Sequence, residues 1–530
     1  MSAIKPTIYL IKEKITNPKD IFKKKYRITL KEESDGTLFY MRSKQNVPDW
    51  ADFVNSNFNL ESNPFKNASS YAVIVLEVAG RMLAIPLGSG IHLIDMTKTE
   101  YNFGLRTALN CIRKQEIRQI DTTTPEINSQ KTKKQAAVGS TPEEFGIKKQ
   151  KDILRGITGK LPKEHELGEA LEGKDSLRAN KGIESFSKLK SYCEKVLKHF
   201  NSSEYKKDYP WIDNMALVRD KSLIDGLTDQ LARTLKKADF EGMFFSPPVF
   251  YEAIFDFKGF VFSSGDGARM SSKEPLKMPE MVDWKKSTGS ARKEIKLDTI
   301  EKFKVNLIRD GAGKNLDWPL QRCLAWETEY NGTRYILSEG SWYAVAEDFF
   351  ISVSNFYQDR LININSFPIP SQPKVVESSY NKEIADSNAD FYLFDLGHFD
   401  AKTKSIGADA NEVCDVYDVK NKTFIHVKKG KSSSTISHLF RQAAYSAEAL
   451  RLDDKSRKEF ITHLVDYGCD ASVIPLPYSP GDYKVIFLLV IGKTQKKDMP
   501  FFSKVSLKDL AENTLEITGS KCNITYVLEP

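Results

Sequence analysis

Residues 411–429 read NEVCDVYDVKNKTFIHVKK, and this stretch decides the fold of the last third of the chain. Two short β-type runs flank a Lys-Asn-Lys turn, with acidic residues in the first run. The second run places His426 and Lys428 two residues apart, and therefore on one face of a strand. The pattern predicts a β-hairpin that brings an acid, an imidazole and a lysine together on one face.

The length of the turn decides which acid shares that face. A two- or four-residue loop around Asn421 pairs odd positions of the first strand with even positions of the second, which places Asp415 there. An odd-length loop would bring Glu412 and Cys414 to the face instead. Because Asn suits the positive φ of a tight hairpin turn, the sequence favours Asp415.

These residue types suit a metal-dependent nuclease. Hydrolysis of a phosphodiester needs a hard cation, and Mg²⁺ is usually held by one or two carboxylates with waters and substrate oxygens. We expect Asp415 to anchor the ion and Lys428 to orient, deprotonate or polarise the attacking water. His426 stands where a second acid would be expected, and a neutral imidazole can bind the ion or take a proton. Since imidazole is a poorer ligand for Mg²⁺ than carboxylate, Mn²⁺ is the expected substitute.

Other residues near the hairpin belong to the same hypothesis. Glu412 is either a further metal ligand or part of a salt bridge at the strand edge. Gln442, on the helix after the hairpin, either positions water or substrate or forms an interhelix hydrogen bond. On the helix before the hairpin, Glu377, Asn381 and Glu383 either add a carboxylate to the site or lie on a solvated face, and the sequence favours the solvated face.

The order of elements around the hairpin predicts the fold of the last domain. A proline-rich stretch, SFPIPSQPK at residues 366–374, breaks regular structure and predicts a linker into this domain. Beyond it, periodicity predicts helices over residues 375–386, 434–450, 455–467 and 507–518, and strands over 391–396, 483–491 and 523–527. Strands interleaved with helices predict a three-layer α/β/α sandwich with a mixed sheet.

Two resemblances follow from these motifs. A helix, a strand, a hairpin with an acid and an x-Lys step, and a following helix resemble the PD-(D/E)xK, restriction-endonuclease-like superfamily, with His426 in place of the second acid. The segments EVCD (412–415), IHVK (425–428) and SSSTISHLFRQ (432–442) resemble more closely a sporadically distributed, poorly characterised bacterial protein family. The segments NFGLR (102–106), ALN (108–110) and YKKDYPW (205–211) extend this likeness over most of the chain.

The resemblance implies a multi-domain α+β protein with a C-terminal restriction-endonuclease-like domain. Its expected activity is metal-dependent cleavage of DNA in anti-phage defence or restriction, with the N-terminal two thirds recognising a substrate or partner. Two alternatives stay open: a catalytically inactive nucleic-acid-binding or scaffold protein, and an RNA-cleaving toxin. Cutting both strands of a duplex needs two sites, so we expect a homodimer or a defence-system partner protein.

The length of 530 residues predicts several domains, because single cores stop growing well below this size. We expect an α+β domain at 1–141 that ends in a basic polar loop, a mainly helical region at 142–245, an antiparallel β-rich region at 246–365 and the nuclease-like domain at 366–530. Helices are predicted over 185–200 and 223–235, and an antiparallel meander over 326–343. The aromatic stretch at 240–262 is expected to be core rather than a base-stacking platform.

Cysteine usage and hydropathy predict the compartment. The six cysteines include no C-x-x-C pair, which favours a reducing cytosol and argues against disulfides and a structural zinc. The N-terminus has no apolar run of the signal-peptide type, and the longest apolar run, residues 485–491, is too short to span a bilayer. We therefore expect a cytoplasmic protein without a membrane partner.

The net charge of +7 is concentrated in one part of the chain. Residues 101–160 hold the basic excess, whereas residues 366–530 are close to neutral. Basic residues of the front region are candidates to bind phosphates of nucleic acid, DNA more than RNA. They are Lys131, Lys133, Lys134, Lys148, Lys149, Lys151 and Arg155. A solvated loop and helix face explain the same charges equally well.

Overall fold

The chain folds into two compact units of mixed α and β structure. The computed structural model describes residues 3–33, 36–42, 51, 54, 57, 68–124, 130–248, 257–263, 274–277, 279–309, 316–373, 375–394, 413–430, 433–470, 479–493, 495–516 and 519–530. One unit comprises residues 1–124 and 131–213, and the other comprises residues 125–130 and 214–530. Within the described ranges, no helix is long and apolar enough to cross a membrane.

The first unit is built on a ten-stranded sheet. Its strands are β1 (Thr7–Leu10), β2 (Thr29–Glu33), β3 (Gly36–Arg42), β4 (Ser70–Val78), β5 (Arg81–Gly88), β6 (Ile117–Thr124), β7 (Gln130–Ser140), β8 (Ile153–Lys160), β9 (Ala170–Gly173) and β10 (Leu177–Ala179). They lie in the order β2-β3-β4-β5-β1-β10-β9-β8-β6-β7. β1 joins the two halves of the sheet, because Ile8 pairs with β10 and Tyr9 pairs with β5.

The helices that accompany this sheet include α1 (Phe103–Leu109), α2 (Phe186–Phe200) and α3 (Tyr205–Asp208). The helix predicted over 185–200 is confirmed as α2, with Ser185 as its N-cap. Its apolar face carries Leu189, Val196 and Leu197 into the same core as Ile8 of the sheet. Burial of one helix face against the sheet therefore holds the unit together.

One secondary-structure prediction for the first unit is wrong, and a second one is incomplete. The exposed loop expected at residues 121–141 is instead the end of β6 and the strand β7, with residues 125–129 outside the described part. β7 lies at the edge of the sheet and is largely exposed, so a lysine-rich sequence forms a strand without apolar alternation. The region expected to be mainly helical, 142–245, contains α2, α3 and the helix Lys221–Lys237, but it also contains β8, β9 and β10, which the sequence did not predict. Strands as short as β9 and β10 carry too few residues for their period to be recognised.

The second unit begins with two antiparallel sheets. One contains β11 (Met215–Leu217), β12 (Met243–Phe245), β16 (Leu324–Tyr330), β17 (Thr333–Ser338) and β18 (Ser341–Val345), and the other contains β13 (Phe257–Ser263), β14 (Lys304–Arg309) and β15 (Leu316–Pro319). The helices here are α4 (Lys221–Lys237), α5 (Met281–Thr288) and α6 (Glu347–Gln358). The helix predicted over 223–235 and the meander over 326–343 are confirmed, and the hairpin turn has positive φ at Asn331 and Gly332.

Three rings of the aromatic stretch at 240–262 lie in the core. Phe245, Phe260 and Phe262 are buried, and the ring of Phe245 lies 5.3 and 5.7 Å from the other two. Residues 249–256 lie outside the described part of the chain. The interpretation as core is therefore confirmed for these three rings.

The last part of the chain forms a five-stranded mixed sheet. Its strands are β19 (Phe391–Leu393), β20 (Val416–Asp418), β21 (Thr423–Lys429), β22 (Lys484–Ile491) and β23 (Lys521–Leu528), in that spatial order. β19, β20 and β21 pair antiparallel, whereas β21, β22 and β23 pair parallel. The helices are α7 (Glu377–Asp386), α8 (Ser433–Leu452), α9 (Asp454–Asp466) and α10 (Phe501–Leu510). The predicted element order is confirmed, although α10 begins before the predicted residue 507.

Helices cover both faces of this mixed sheet. On one face, Tyr380 of α7 packs with Ile425 and Val427 of β21. On the other face, Phe440 of α8 packs with Phe487 of β22, their ring centroids 4.9 Å apart. Successive strand residues alternate between the two clusters, as a pleated sheet requires. The sheet therefore lies between two helical layers.

Candidate functional site beside strand β21

The hairpin of β20 and β21 positions the candidate site. Tyr417 pairs with Phe424, so odd positions of the first strand meet even positions of the second across a four-residue loop, residues 419–422. This register confirms the predicted even-length loop. Asp418 closes the turn by accepting hydrogen bonds from the N–H and Nδ2 of Asn421 at 2.9 and 2.8 Å. Positive φ falls on Lys422 rather than on the asparagine.

Asp415 comes just before β20 and departs from the regular ladder. Its N–H donates to Ile425 O at 3.0 Å, although Ile425 is already the partner of Val416. Two residues opposite one is the pattern of a β-bulge, which redirects a side chain. The carboxylate of Asp415 meets helix α7, with Oδ1 3.3 Å from Asn381 Nδ2. Its Oδ2 accepts a hydrogen bond from Val427 N at 2.7 Å.

Lys428 near the end of β21 is paired with helix α7. Its Nζ lies 2.6 Å from Glu377 Oε1, and the two side chains are 27% and 29% exposed. The second oxygen of Glu377, Oε2, accepts a hydrogen bond from the N–H of Lys429 at 3.0 Å. The Lys429 side chain forms a separate ion pair, with Nζ 2.7 Å from Glu529 Oε1. Glu377 therefore supplies a second acid beside β21.

Asp415 and Glu377 share one structural role. β20 pairs with β21 only as far as Ile425, so in the described part of the chain the N–H groups of Val427 and Lys429 meet no strand on that side. The two carboxylates accept these hydrogen bonds in place of a strand. Alternate residues of a strand lie about 6.6–6.8 Å apart. The carboxylates therefore occupy neighbouring positions along one strand edge.

His426 lies on the face of the sheet that α8 covers, and Lys428 shares this face by strand alternation although its Nζ reaches Glu377. His426 is in register with Phe487, its ring centroid lies 6.0 Å from that ring, and Phe487 packs against α8. Burial lowers the pKa of His426 to about 3, so the imidazole is neutral near pH 7. Its Nδ1 is buried with no hydrogen-bond partner among the described residues. The structure thus directs the contacts of Asp415 and Lys428 to α7 and those of His426 to the other layer.

The other residues of the hypothesis fall in different places. Gln442 lies on α8, half-buried, and its backbone oxygen accepts a hydrogen bond from Ser446 Oγ at 2.8 Å. Glu412 lies outside the described residues. The solvated face favoured for helix α7 is wrong for Asn381, which is 1% exposed, and for Glu377, which contacts Lys428. The sequence of the helix is polar, but Asn381 and Glu377 face the sheet because they contact Asp415 and Lys428, which are distant in sequence.

Glu383, the third candidate on helix α7, has a different partner. Its carboxylate accepts hydrogen bonds from the N–H and Oγ of Ser371. Glu383 therefore anchors the segment that leads into α7 and lies apart from the hydrogen bonds of β21. It offers a control acid on the same helix.

The site has the ligand chemistry of a hard cation, with few ligands. Among the described residues, neither Asp415 nor Glu377 belongs to a group of three His, Cys, Asp or Glu side chains whose ligand atoms all lie within 4.8 Å of one another. Mg²⁺ needs only one or two protein carboxylates, because waters and substrate oxygens complete its shell. Two carboxylates beside one lysine are therefore too few ligands for a closed structural metal site.

The predicted phosphate-binding residues lie in the first unit. Lys131, Lys133 and Lys134 are on β7, Lys148, Lys149 and Lys151 precede β8, and Arg155 is in β8. Lys134 Nζ donates to Phe145 O at 2.7 Å. Lys149 Nζ lies 2.7 Å from Glu143 Oε1, and this hydrogen bond lowers the pKa of Glu143 to about 2. Lysines on an edge strand also prevent pairing with other chains, so their position fits both interpretations.

The fold and the site define a mixed α+β protein with a carboxylate and lysine cluster beside one strand. Residues 6–527 match the model of a family described as "Family of unknown function (DUF6119)", and the chain belongs to this family. The match covers nearly the whole chain, both units included. No curated protein matches the chain, and no solved structure matches it.

Proposed function

We propose that this protein is a metal-dependent endonuclease that hydrolyses phosphodiester bonds of DNA. The observation that supports this best is the cluster at the end of β21, where Asp415, Glu377 and Lys428 lie beside one strand. In this proposal residues 366–530 form a restriction-endonuclease-like domain. The mixed sheet between two helical layers, with two acids and a lysine beside one strand, supports this part of the proposal.

Asp415 and Glu377 are the proposed ligands for Mg²⁺, with Mn²⁺ as a substitute. Carboxylate oxygen is the donor that both ions prefer. When bound, the ion would neutralise charge on the phosphate and lower the pKa of a bound water. Glu377 takes the role that the sequence assigned to His426 and Glu412, because the contacts of His426 lie on the other face of the sheet.

Lys428 is the proposed residue that handles the proton and the developing charge. Its Nζ is held 2.6 Å from Glu377 Oε1, beside the proposed metal ligands. In the proposal this amine orients the attacking water, deprotonates or polarises it, and stabilises the developing negative charge.

We further propose that cleavage depends on recognition by the N-terminal two thirds of the chain. Their basic residues, on β7 and around β8, would contact phosphates and make binding depend on salt. Recognition of a substrate feature or of a defence-system partner suits a cytoplasmic role in anti-phage defence or restriction. A homodimer would supply the two sites needed to cut both strands.

A plasmid assay tests the proposal. Supercoiled DNA is incubated with the full-length protein and Mg²⁺ or Mn²⁺, and nicked and linear products are measured. We expect metal-dependent nicking that falls about 100-fold or more in Asp415→Asn, Glu377→Gln and Lys428→Ala. Glu383→Gln, an acid on the same helix that contacts Ser371, is the matched control and keeps full activity.

A catalytically inactive nucleic-acid-binding or scaffold protein is the second candidate function. The observation that favours it is that strand N–H groups already bind both carboxylates. DNA binding without cutting, unchanged by Asp415→Asn, would support this candidate and overturn the nuclease. The same assay with RNA distinguishes the third possibility, an RNA-cleaving toxin.

A further inference from the structure

Three metal-binding side chains from separate segments of the first unit meet at one place. Cys111 follows helix α1, His165 lies between β8 and β9, and His199 is in the last turn of α2. Their donor atoms, one from each residue, all lie within 4.8 Å of one another. In a tetrahedral zinc site, bonds of about 2.0–2.3 Å put the donors about 3.3–3.8 Å apart. Movements of about 1 Å would therefore close these three donors around an ion.

Polar contacts hold two of the three segments together. Asn110, next to Cys111, donates from Nδ2 to His199 O at 2.9 Å and to Ser202 O at 3.0 Å. Its Oδ1 accepts a hydrogen bond from Tyr205 N at 2.8 Å. The end of α1 is thus fixed against the end of α2, which places the Cys111 thiol beside the His199 ring.

The loop that carries His165 is fixed to the same helix. Tyr192 of α2 donates from its hydroxyl to Leu167 O at 3.0 Å. The rings of His165 and His199 then lie with centroids 5.3 Å apart, tilted by 37°. The thiol is buried and both imidazoles are half-buried, so the cluster lies between the core and the surface, where an ion can enter.

From this geometry we propose that Cys111, His165 and His199 form a Zn²⁺ site, separate from the proposed nuclease site. One sulfur and two imidazole nitrogens are the donors that zinc prefers, and they disfavour Mg²⁺. This proposal departs from the sequence expectation against a structural zinc, which rested on the lack of a C-x-x-C pair; a site of one cysteine and two histidines needs no such pair. On binding, the Cys111 S–H bond breaks, the sulfur bonds to zinc, and the proton leaves to solvent.

Glu166 is the proposed supporting residue. Its Oε1 lies 2.9 Å from His199 Nε2, so in this proposal Nε2 carries the proton that the carboxylate accepts and Nδ1 is the nitrogen that would bind the metal. Carboxylates in this position orient the ring and strengthen the metal bond. The His165 Nδ1 lies 3.2 Å from Leu167 N, a long hydrogen bond that a metal bond can replace. The ion would join α1, α2 and the β8–β9 loop at one point.

Metal analysis of the full-length protein tests this site. Protein is equilibrated with buffered Zn²⁺, dialysed, and measured by inductively coupled plasma mass spectrometry. We expect about one zinc per chain in the native protein and its loss in Cys111→Ala and His199→Gln. Cys193→Ala is the matched control, because Cys193 is a buried thiol of α2 outside the cluster. It should keep its zinc.

Substitution with Co²⁺ and a milder variant complete the test. A thiolate-to-cobalt charge-transfer band should appear in the native protein and in Cys193→Ala, and be absent in Cys111→Ala. Glu166→Gln, which retains all three ligands, should weaken zinc binding about 10–100-fold in competition with a chromophoric chelator. Equal zinc content in the native protein and in a folded Cys111→Ala or His199→Gln variant would overturn the proposal. So would an unchanged zinc affinity in Glu166→Gln.

Discussion

Glu377 Oε1 lies 2.6 Å from Lys428 Nζ, and the other oxygen of the same carboxylate binds the N–H of the next residue, Lys429. One acid on helix α7 thereby neutralises the lysine and completes the hydrogen bonding of β21. Both functions use the same side chain, so Glu377 links Lys428 to the hydrogen bonding of the strand edge. The helix before the sheet is therefore part of the site.

Hydrogen exchange can show that the two carboxylates replace a strand. We expect Asp415→Ala to speed exchange of the Val427 amide and Glu377→Ala to speed exchange of the Lys429 amide, because each loses its only described acceptor. Loss of one such hydrogen bond lowers the free energy of local opening by about 1–3 kcal/mol, which raises the opening equilibrium constant roughly 5- to 150-fold. Hydrogen exchange at these two amides can be measured by mass spectrometry with fragmentation. Glu383→Ala should leave both amides unchanged.

The Glu377 and Lys428 pair should show a measurable coupling energy. The two side chains are about three-quarters buried, so their attraction is less screened than that of surface pairs. A double-mutant cycle of Glu377→Gln and Lys428→Gln should give about 1 kcal/mol of coupling in urea denaturation. Additive effects of the two substitutions would show that the contact contributes nothing.

His426 should make the protein sensitive to acid. Its pKa is about 3 in the folded state and about 6.5 in an unfolded chain, so the unfolded chain binds a proton that the folded protein does not. Stability contributed by the neutral imidazole is present above pH 6.5 and is lost as the pH falls towards 3. We expect about 2 kcal/mol of loss between pH 7 and pH 5 in urea denaturation. His426→Gln should remove this loss, and the exposed-site control His92→Gln should not.

Glu327 should give the opposite pH dependence. Its carboxylate oxygens accept hydrogen bonds from Phe501 N and Phe502 N at 2.6 and 2.7 Å, at the start of α10. Loss of hydration raises the pKa of Glu327 to about 7, so the folded protein holds a proton that the unfolded chain releases. Stability should therefore fall as the pH rises from 4.5 through 7. In thermal scans at pH 5.5 and 8, the difference in Tm should be smaller in Glu327→Gln than in the native chain.

The C-terminal fold could be predicted from the sequence because its signals are local. Helices and strands alternate with clear periods, and the even-length turn around Asn421 sets the register of the hairpin by parity. The position of the Asp415 side chain could not be predicted in this way. One shifted hydrogen bond to Ile425 redirects it to α7, and no periodicity in the sequence encodes such a shift.

Contacts between residues that are distant in sequence explain the other differences between the predictions and the structure. Glu377 and Lys428 are separated by 51 positions, so the polar face of α7 gave no sign of its partner. Lysines along β7 suggested a loop because an edge strand does not need an apolar face. Cys111, His165 and His199 come together only through the packing of α1 and α2, which spacing along the chain does not reveal.

All six cysteines are free and buried, which makes them reporters of opening in each unit. Cys193 reports on the first unit, where Cys111 is a proposed zinc ligand, and Cys323, Cys414, Cys469 and Cys522 report on the second. An alkylating reagent can react with these thiols only after the surrounding structure opens, because it must reach the sulfur. Peptide mapping after timed alkylation in denaturant would therefore record the unfolding of the two units separately, in one sample and without an added label.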